Sequence, residues 1–76
     1  MVRYDEHAEF QIARRGIEKP WVEATLESPD LMEQSGARKS FFQCLPGRRV
    51  MLRVVTPVAD SEYVITAYFD RTKPCV

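Results

Sequence analysis

The sequence predicts an α+β fold, with two N-terminal helices packed on one face of a three- to four-stranded antiparallel meander. Three observations carry that expectation. The first is a change of period at Pro29: apolar residues before it recur at helical spacing, whereas the runs after it are extended and rich in β-branched and aromatic residues. The second is that short polar turns join those extended runs, which is the pattern of a meander. The third is size: 76 residues make one domain, 1–76, near the lower limit at which a single core holds a fold.

The first helix is expected over about residues 5–16. It has no breaker, has acidic residues in its first turn and Arg14 and Arg15 in its last, and is followed by Gly16 where a left-handed cap is wanted. Ala8 and Ile12 make an apolar strip, and His7, Gln11 and Arg14 make the adjoining polar stripe with Arg15 beside it. Pro20 opens a second helix over about residues 20–28, where its missing N–H costs nothing, and the Ser28-Pro29 pair ends it. Ile17, Trp21, Val22 and Leu26 are its expected core contacts.

Strands are expected at about 31–34, 40–45, 49–56 and 62–69, with a tail at 70–76. Gly36 and its polar neighbours, Pro46-Gly47, and Ala59-Asp60-Ser61 supply the turns. Alternation places Arg53 on one side of its strand, and Thr66 and Tyr68 on one side of the last. These more polar sides are the candidates for a face that the helices leave uncovered.

Composition limits what the chain does. A content of 45% hydrophobic and 29% charged residues argues against wholesale disorder. The apolar runs VMLRVV and YVITAYF are too short and interrupted to cross a bilayer, and MVRYDEH lacks the apolar stretch of a signal peptide, so a cytoplasmic location and no membrane partner are expected. Eleven basic and eleven acidic residues cancel, which argues against a surface built wholly to attract nucleic acid. A local basic stretch survives that sum, because Arg38, Lys39, Arg48, Arg49 and Arg53 follow one another with no acidic residue among them. Cys44 and Cys75 form neither a CxxC pair nor a disulfide framework, Cys44 being read inside a strand and Cys75 in the tail. With a single histidine, the chain has no metal-ligand pattern, and no cofactor is expected.

His7-Ala8 opening a helix, Arg15-Gly16-Ile17 ending it, a short helix closing at Pro29 and a meander ending in VITAY (Val64 to Tyr68) together resemble domain of unknown function 4258. The resemblance runs from about Tyr4 to Phe69. That family is similar in fold to the RelE and ParE toxins of bacterial toxin–antitoxin systems, and more distantly to colicin-type tRNA nucleases. The resemblance implies a helix-helix-meander fold and, by analogy, metal-independent cleavage of RNA. It assigns candidate catalytic roles to His7, Arg15, Thr66 and Tyr68. One departure bears on phosphate binding: the family's usual arginine four residues after the histidine is here Gln11, with Arg14 one turn further along the same face.

Metal-free RNA cleavage needs a group to take the proton of the ribose 2′-hydroxyl, a group to protonate the leaving 5′-oxygen, and cations to offset charge on the phosphorane. Histidine suits either proton role, and the planar fork of arginine grips phosphate at two points. His7 is therefore the candidate acid or base, Arg15 or Arg53 the clamp, and Thr66 or Tyr68 the orienting hydroxyl. Arg14, Arg53, Arg38 and Lys39 are the candidate RNA-binding residues. Bland explanations exist as well: a lone histidine near a helix N-terminus is most often a partly buried residue hydrogen-bonded locally, Arg14 and Arg15 suit a helix C-terminus, Thr66 and Tyr68 are good strand formers, and clustered arginines more often make a solvated face than a phosphate track.

Three functions are compatible with this reading. One is a toxin-like endoribonuclease acting on RNA or ribosome-bound mRNA and held in check by a cognate antitoxin. Another is a non-catalytic module that binds a small protein through its sheet edge, as a monomer or weak homodimer. The third is a weak RNA binder using the Arg38 to Arg53 surface.

Overall fold

The computed structural model describes residues 1–75. The first helix, α1 (Glu6–Arg14), follows a two-residue strand β1 (Arg3–Tyr4). Asp5 caps α1 by accepting the His7 backbone N–H at 3.0 Å, and Glu6 and Glu9 occupy the first turn. Its far end closes as the sequence requires: Gly16 takes φ 69°, Ile17 N–H reaches back to the Ile12 carbonyl at 2.8 Å, and Gly16 N–H reaches that of Ala13. Helix α2 (Lys19–Glu27) carries Pro20 in its first turn and ends at Ser28. No helix among the described residues is long and apolar enough to cross a membrane.

After Pro29 come β2 (Leu31–Ser35), β3 (Arg38–Gln43), β4 (Val50–Pro57), β5 (Tyr63–Val64) and β6 (Thr66–Pro74). Strands β2-β3-β4-β6 form an antiparallel sheet in that order, and β1 pairs in parallel with β5. The fold is thus α+β with N-terminal helices. Across the sheet Phe41 lies opposite Val54, and Val54 opposite Ala67; these residues face the helices and join Ala8, Ile12, Ile17, Val22, Leu52 and Val64 in the core. Trp21 and Leu26 pack against that cluster as expected.

Four expectations need correction. Residues 70–76, expected as a tail, continue β6 as far as Pro74, and only Val76 lies outside the described residues. Pairing explains it: Asp70 lies opposite Met51 and Pro74 opposite Val50, so Arg71, Thr72 and Lys73 form a bulge that keeps the strand attached. Cys44 lies just beyond β3 rather than inside a strand. It is joined to Cys75 by a disulfide, Cα to Cα 5.5 Å, against the expectation of no such framework. The Pro46-Gly47 turn brings the end of β3 beside the start of β4, where β6 also arrives, and 31 residues of sequence separation conceal the meeting. Finally, Ile65 interrupts the expected strand at 62–69, where its N–H turns to the Val55 carbonyl at 2.8 Å.

Candidate functional site around Gln11

Alternation along β4 and β6 puts Arg53 directly opposite Tyr68 and Val55 opposite Thr66, so Arg53, Thr66 and Tyr68 share the face turned away from the core. Helix α1 runs beside β6 and presents its polar stripe to that strand. His7, Gln11 and Arg15 are each four residues apart and lie one above another. The side chain of Gln11 is the centre of the arrangement. Its Oε1 accepts the Thr66 hydroxyl at 2.6 Å and the Arg15 guanidinium at 3.1 Å, and its Nε2 meets His7 Nε2 at 2.7 Å.

The two donors at Oε1 orient the amide, which leaves Nε2 of Gln11 as the donor toward His7. The His7 Nε2 is then placed to accept from that amide. Arg15 also donates to the Ala67 carbonyl at 3.0 Å, which ties α1 to the sheet across 52 residues of sequence. The Tyr68 ring lies between two cations, with the Arg15 guanidinium carbon 5.7 Å and that of Arg53 5.8 Å from its centroid.

Arg53 is itself tightly held. It pairs with Asp70 at 2.9 Å and donates to the Ser40 hydroxyl at 3.1 Å. The Thr72 hydroxyl and backbone N–H, with Arg53, hold the Asp70 carboxyl below the usual carboxylate range against the opposing effect of burial. Beside His7, the Tyr63 hydroxyl donates to Asp5 at 2.7 Å and, with the His7 backbone N–H, keeps the Asp5 carboxyl low. The same bond pushes the Tyr63 hydroxyl up. His7 borders a shallow hollow of about 480 Å³ with Asp5, Glu6 and Phe10. A larger hollow of about 770 Å³ is lined by Tyr4, Lys19, Glu23 and Glu62 among others, and holds none of the candidate residues.

The structure therefore gathers His7, Arg15, Thr66 and Tyr68 around Gln11, with Arg53 at the rim. The other cationic candidates are not gathered. Arg14 is exposed and stands outside this network, because Arg15, four residues beyond Gln11, makes the contact. Arg38 shares the outer face with Arg53 but sits at the far end of β3, opposite Pro57. Lys39, its neighbour, projects to the other face, where it lies over the Phe41 ring at 5.2 Å. Arg48 stacks on Phe69 at 4.4 Å and Trp21 at 5.8 Å. Asp70 and Ser40, which position Arg53, were not among the sequence candidates; only strand register reveals them. Among the described residues, no group of His, Cys, Asp and Glu gathers as a metal site.

Comparison with known families adds one finding. The family model described as Domain of unknown function (DUF4258) matches residues 4–69. The chain belongs to that family. It has no significant match among curated proteins or solved structures. The segment matched as DUF4258 includes His7, Gln11, Arg15, Thr66 and Tyr68 and stops short of the β6 bulge and Cys75.

Proposed function

We propose that this protein is a toxin-like, metal-independent endoribonuclease of a bacterial toxin–antitoxin type system, with its site at His7, Arg15, Thr66 and Tyr68. The observation that supports the reading is the convergence on Gln11 of an imidazole, a guanidinium and a hydroxyl drawn from both ends of the chain. In the reaction, a ribose 2′-hydroxyl displaces the Gln11 amide from His7 Nε2, and that nitrogen takes the hydroxyl proton as the 2′-oxygen attacks phosphorus. Arg15 binds a non-bridging oxygen, and Arg53 adds positive charge at the rim. The 5′-oxygen leaves and takes a proton from solvent, His7 returns its proton to solvent, and Tyr68 and Thr66 orient the phosphate. The products are a 2′,3′-cyclic phosphate and a 5′-hydroxyl.

The test is incubation of purified protein with cellular RNA and with ribosome-bound mRNA at near-neutral pH in excess chelator, beside His7→Ala and Arg15→Ala variants of unchanged fold. Cleavage by the parent that leaves cyclic phosphate ends, lost by at least 100-fold in His7→Ala, is the expected result. Absence of cleavage in all three proteins on either substrate refutes the reading.

A second reading, a non-catalytic module that binds a protein through its sheet edge, has one observation of its own. The Val58 N–H bonds the Ala37 carbonyl, so odd-numbered residues of β3 bond to β4 and Arg38, Ser40 and Phe42 bond to β2. Their partners are Ser35, Glu33 and Leu31, which leaves the backbone groups of Met32 and Gln34 facing outward on a strand exposed along its whole length. A cognate antitoxin or another small protein that supplies an extended segment fits this edge. Loss of partner binding on Met32→Pro, with His7→Ala binding unchanged, is the outcome this second reading requires.

A further inference from the structure

The outer face of the sheet has no helix over it, yet Phe42 is fully buried there and Val55, Ser40 and Asp70 nearly so. The cover comes from the sheet's own margin. Arg53 lies over the Phe42 ring at 5.2 Å and Lys73 at 5.4 Å, and Lys73 also pairs with Glu33 on β2. Lys73 reaches that position because the Arg71–Lys73 bulge projects from β6 between the Met51–Asp70 and Val50–Pro74 pairs. Beyond the bulge, little ties the segment down: the Pro74 pairing, the Cys75 N–H to the Arg49 carbonyl at 2.8 Å, and the disulfide. Arg71, Thr72 and Pro74 are exposed, and both cysteines are only half-buried.

We propose that the Cys44–Cys75 disulfide is a reducible latch, holding the segment Arg71–Cys75 over the outer face and uncovering Phe42 beside Arg53 and Tyr68 when it opens. Besides the Lys73–Glu33 pair and the Thr72 bonds to Asp70, only a short pairing at a strand end holds this segment, and such pairings fray readily, so the covalent link is the strongest tie that keeps Lys73 at Phe42. The partner chemistry is a dithiol. One of its thiolates attacks a sulfur of the pair, and the other protein sulfur leaves as a thiolate and takes a proton from solvent. The second thiol of the reductant, once deprotonated, attacks the mixed disulfide and releases the remaining protein thiol. The protein gains two electrons and two protons, and the reductant becomes a disulfide. Asp70 stays opposite Met51 in either state, so the Arg53–Asp70 pair persists and the uncovered surface combines an aromatic ring with a cation.

This inference stands apart from the proposed nuclease, because its readout is exposure of backbone and thiols. Hydrogen exchange read by mass spectrometry on the air-oxidised protein, the same protein in excess dithiothreitol, and a Cys44→Ala/Cys75→Ala double variant tests it. Intact mass of the oxidised sample should be two hydrogen atoms lighter than that of the reduced sample. Reduction and the double variant should both bring amides of Arg71–Cys75 to the exchange rate of an unstructured peptide, while those of Val22 and Val54 remain protected. Free thiols in the air-oxidised protein, unchanged protection at Arg71–Cys75, or loss of protection everywhere at once would each overturn the latch.

Discussion

The two faces of the sheet are closed by different chemistry. The inner face meets two helices through apolar side chains, with Phe41, Leu52, Val54 and Ala67 against Ala8, Ile12 and Val22, and none of these side chains titrates or can be reduced. The outer face is closed over Phe42 and Val55 by Arg53, Asp70, Lys73 and Glu33, and its margin is pinned by a disulfide. A short chain has residues for only one helical layer, so burial of the second face falls to long charged side chains that lay their apolar stems and flat heads on an aromatic ring. The outer face is therefore the one whose cover can respond to pH, salt and redox state, and it also carries Tyr68 and Thr66.

The strongest test of that contrast is to hollow out both faces. Phe42→Ala should destabilise the protein by about 4 kcal/mol and Leu52→Ala by about 3 kcal/mol, both read from urea unfolding. A loss below about 1 kcal/mol for Phe42→Ala would mean that the outer face is a decorated surface and not a second small core. Next in size is the staple. Cys75→Ser should cost about 3 kcal/mol and lower the melting temperature by on the order of 10–20 °C. Reductant should reproduce that loss in the parent and leave the variant unchanged.

How much of this was legible in the sequence follows the same division. Helix α1 and the inner face were readable because their signals are local: Asp5 and Gly16 mark the helix ends, Ala8 and Ile12 lie one turn apart, and Ile17, Trp21, Val22 and Leu26 recur at near-helical spacing. The outer face was not. Arg71-Thr72-Lys73-Pro74 has none of the alternation of a strand and reads as a polar tail; its place depends on Val50, Glu33 and Cys44, all remote in sequence. Strand alternation likewise splits Arg38 from Lys39, which side by side in the sequence suggested one basic patch. At the candidate site the residue types were readable and the hub was not. Gln11 looked like a missing arginine; its contact with His7 is the i,i+4 neighbour that the helical stripe already offered, whereas its bond to Thr66 exists only because β6 lies against α1.

A smaller effect separates the faces by pH. Thr72 and Arg53 depress the folded-state pKa of Asp70, so its contribution to stability is complete above the ordinary carboxylate range. That contribution drains away as pH falls through that range toward the depressed value. Asp70→Ala should cost about 2 kcal/mol at neutral pH and flatten the acid limb of the stability profile. Leu52→Ala, which removes no titrating group, should shift that limb down in parallel. If Asp70→Ala also shifts it in parallel, the charge network over Phe42 does not confer the pH dependence.

The smallest stability change is expected at the point where structure and chemistry meet. Gln11→Arg restores a cation to the helical stripe and removes the acceptor shared by Arg15 and Thr66, at a half-buried position able to hold a long side chain. Arg15 keeps its bond to the Ala67 carbonyl, so the fold should change by less than about 1 kcal/mol. The consequences for RNA run the other way. A guanidinium at this position adds positive charge beside Arg15 and frees His7 Nε2 from the amide, so cleavage in chelator should rise, and its salt dependence should steepen by the equivalent of about one phosphate contact. Lower cleavage in a fully folded Gln11→Arg protein would give the glutamine a positive role, that of holding the His7 tautomer and the Thr66 hydroxyl in place for the reaction. Unchanged cleavage would mean that RNA does not approach this stripe, and attention would move to the exposed edge of β2.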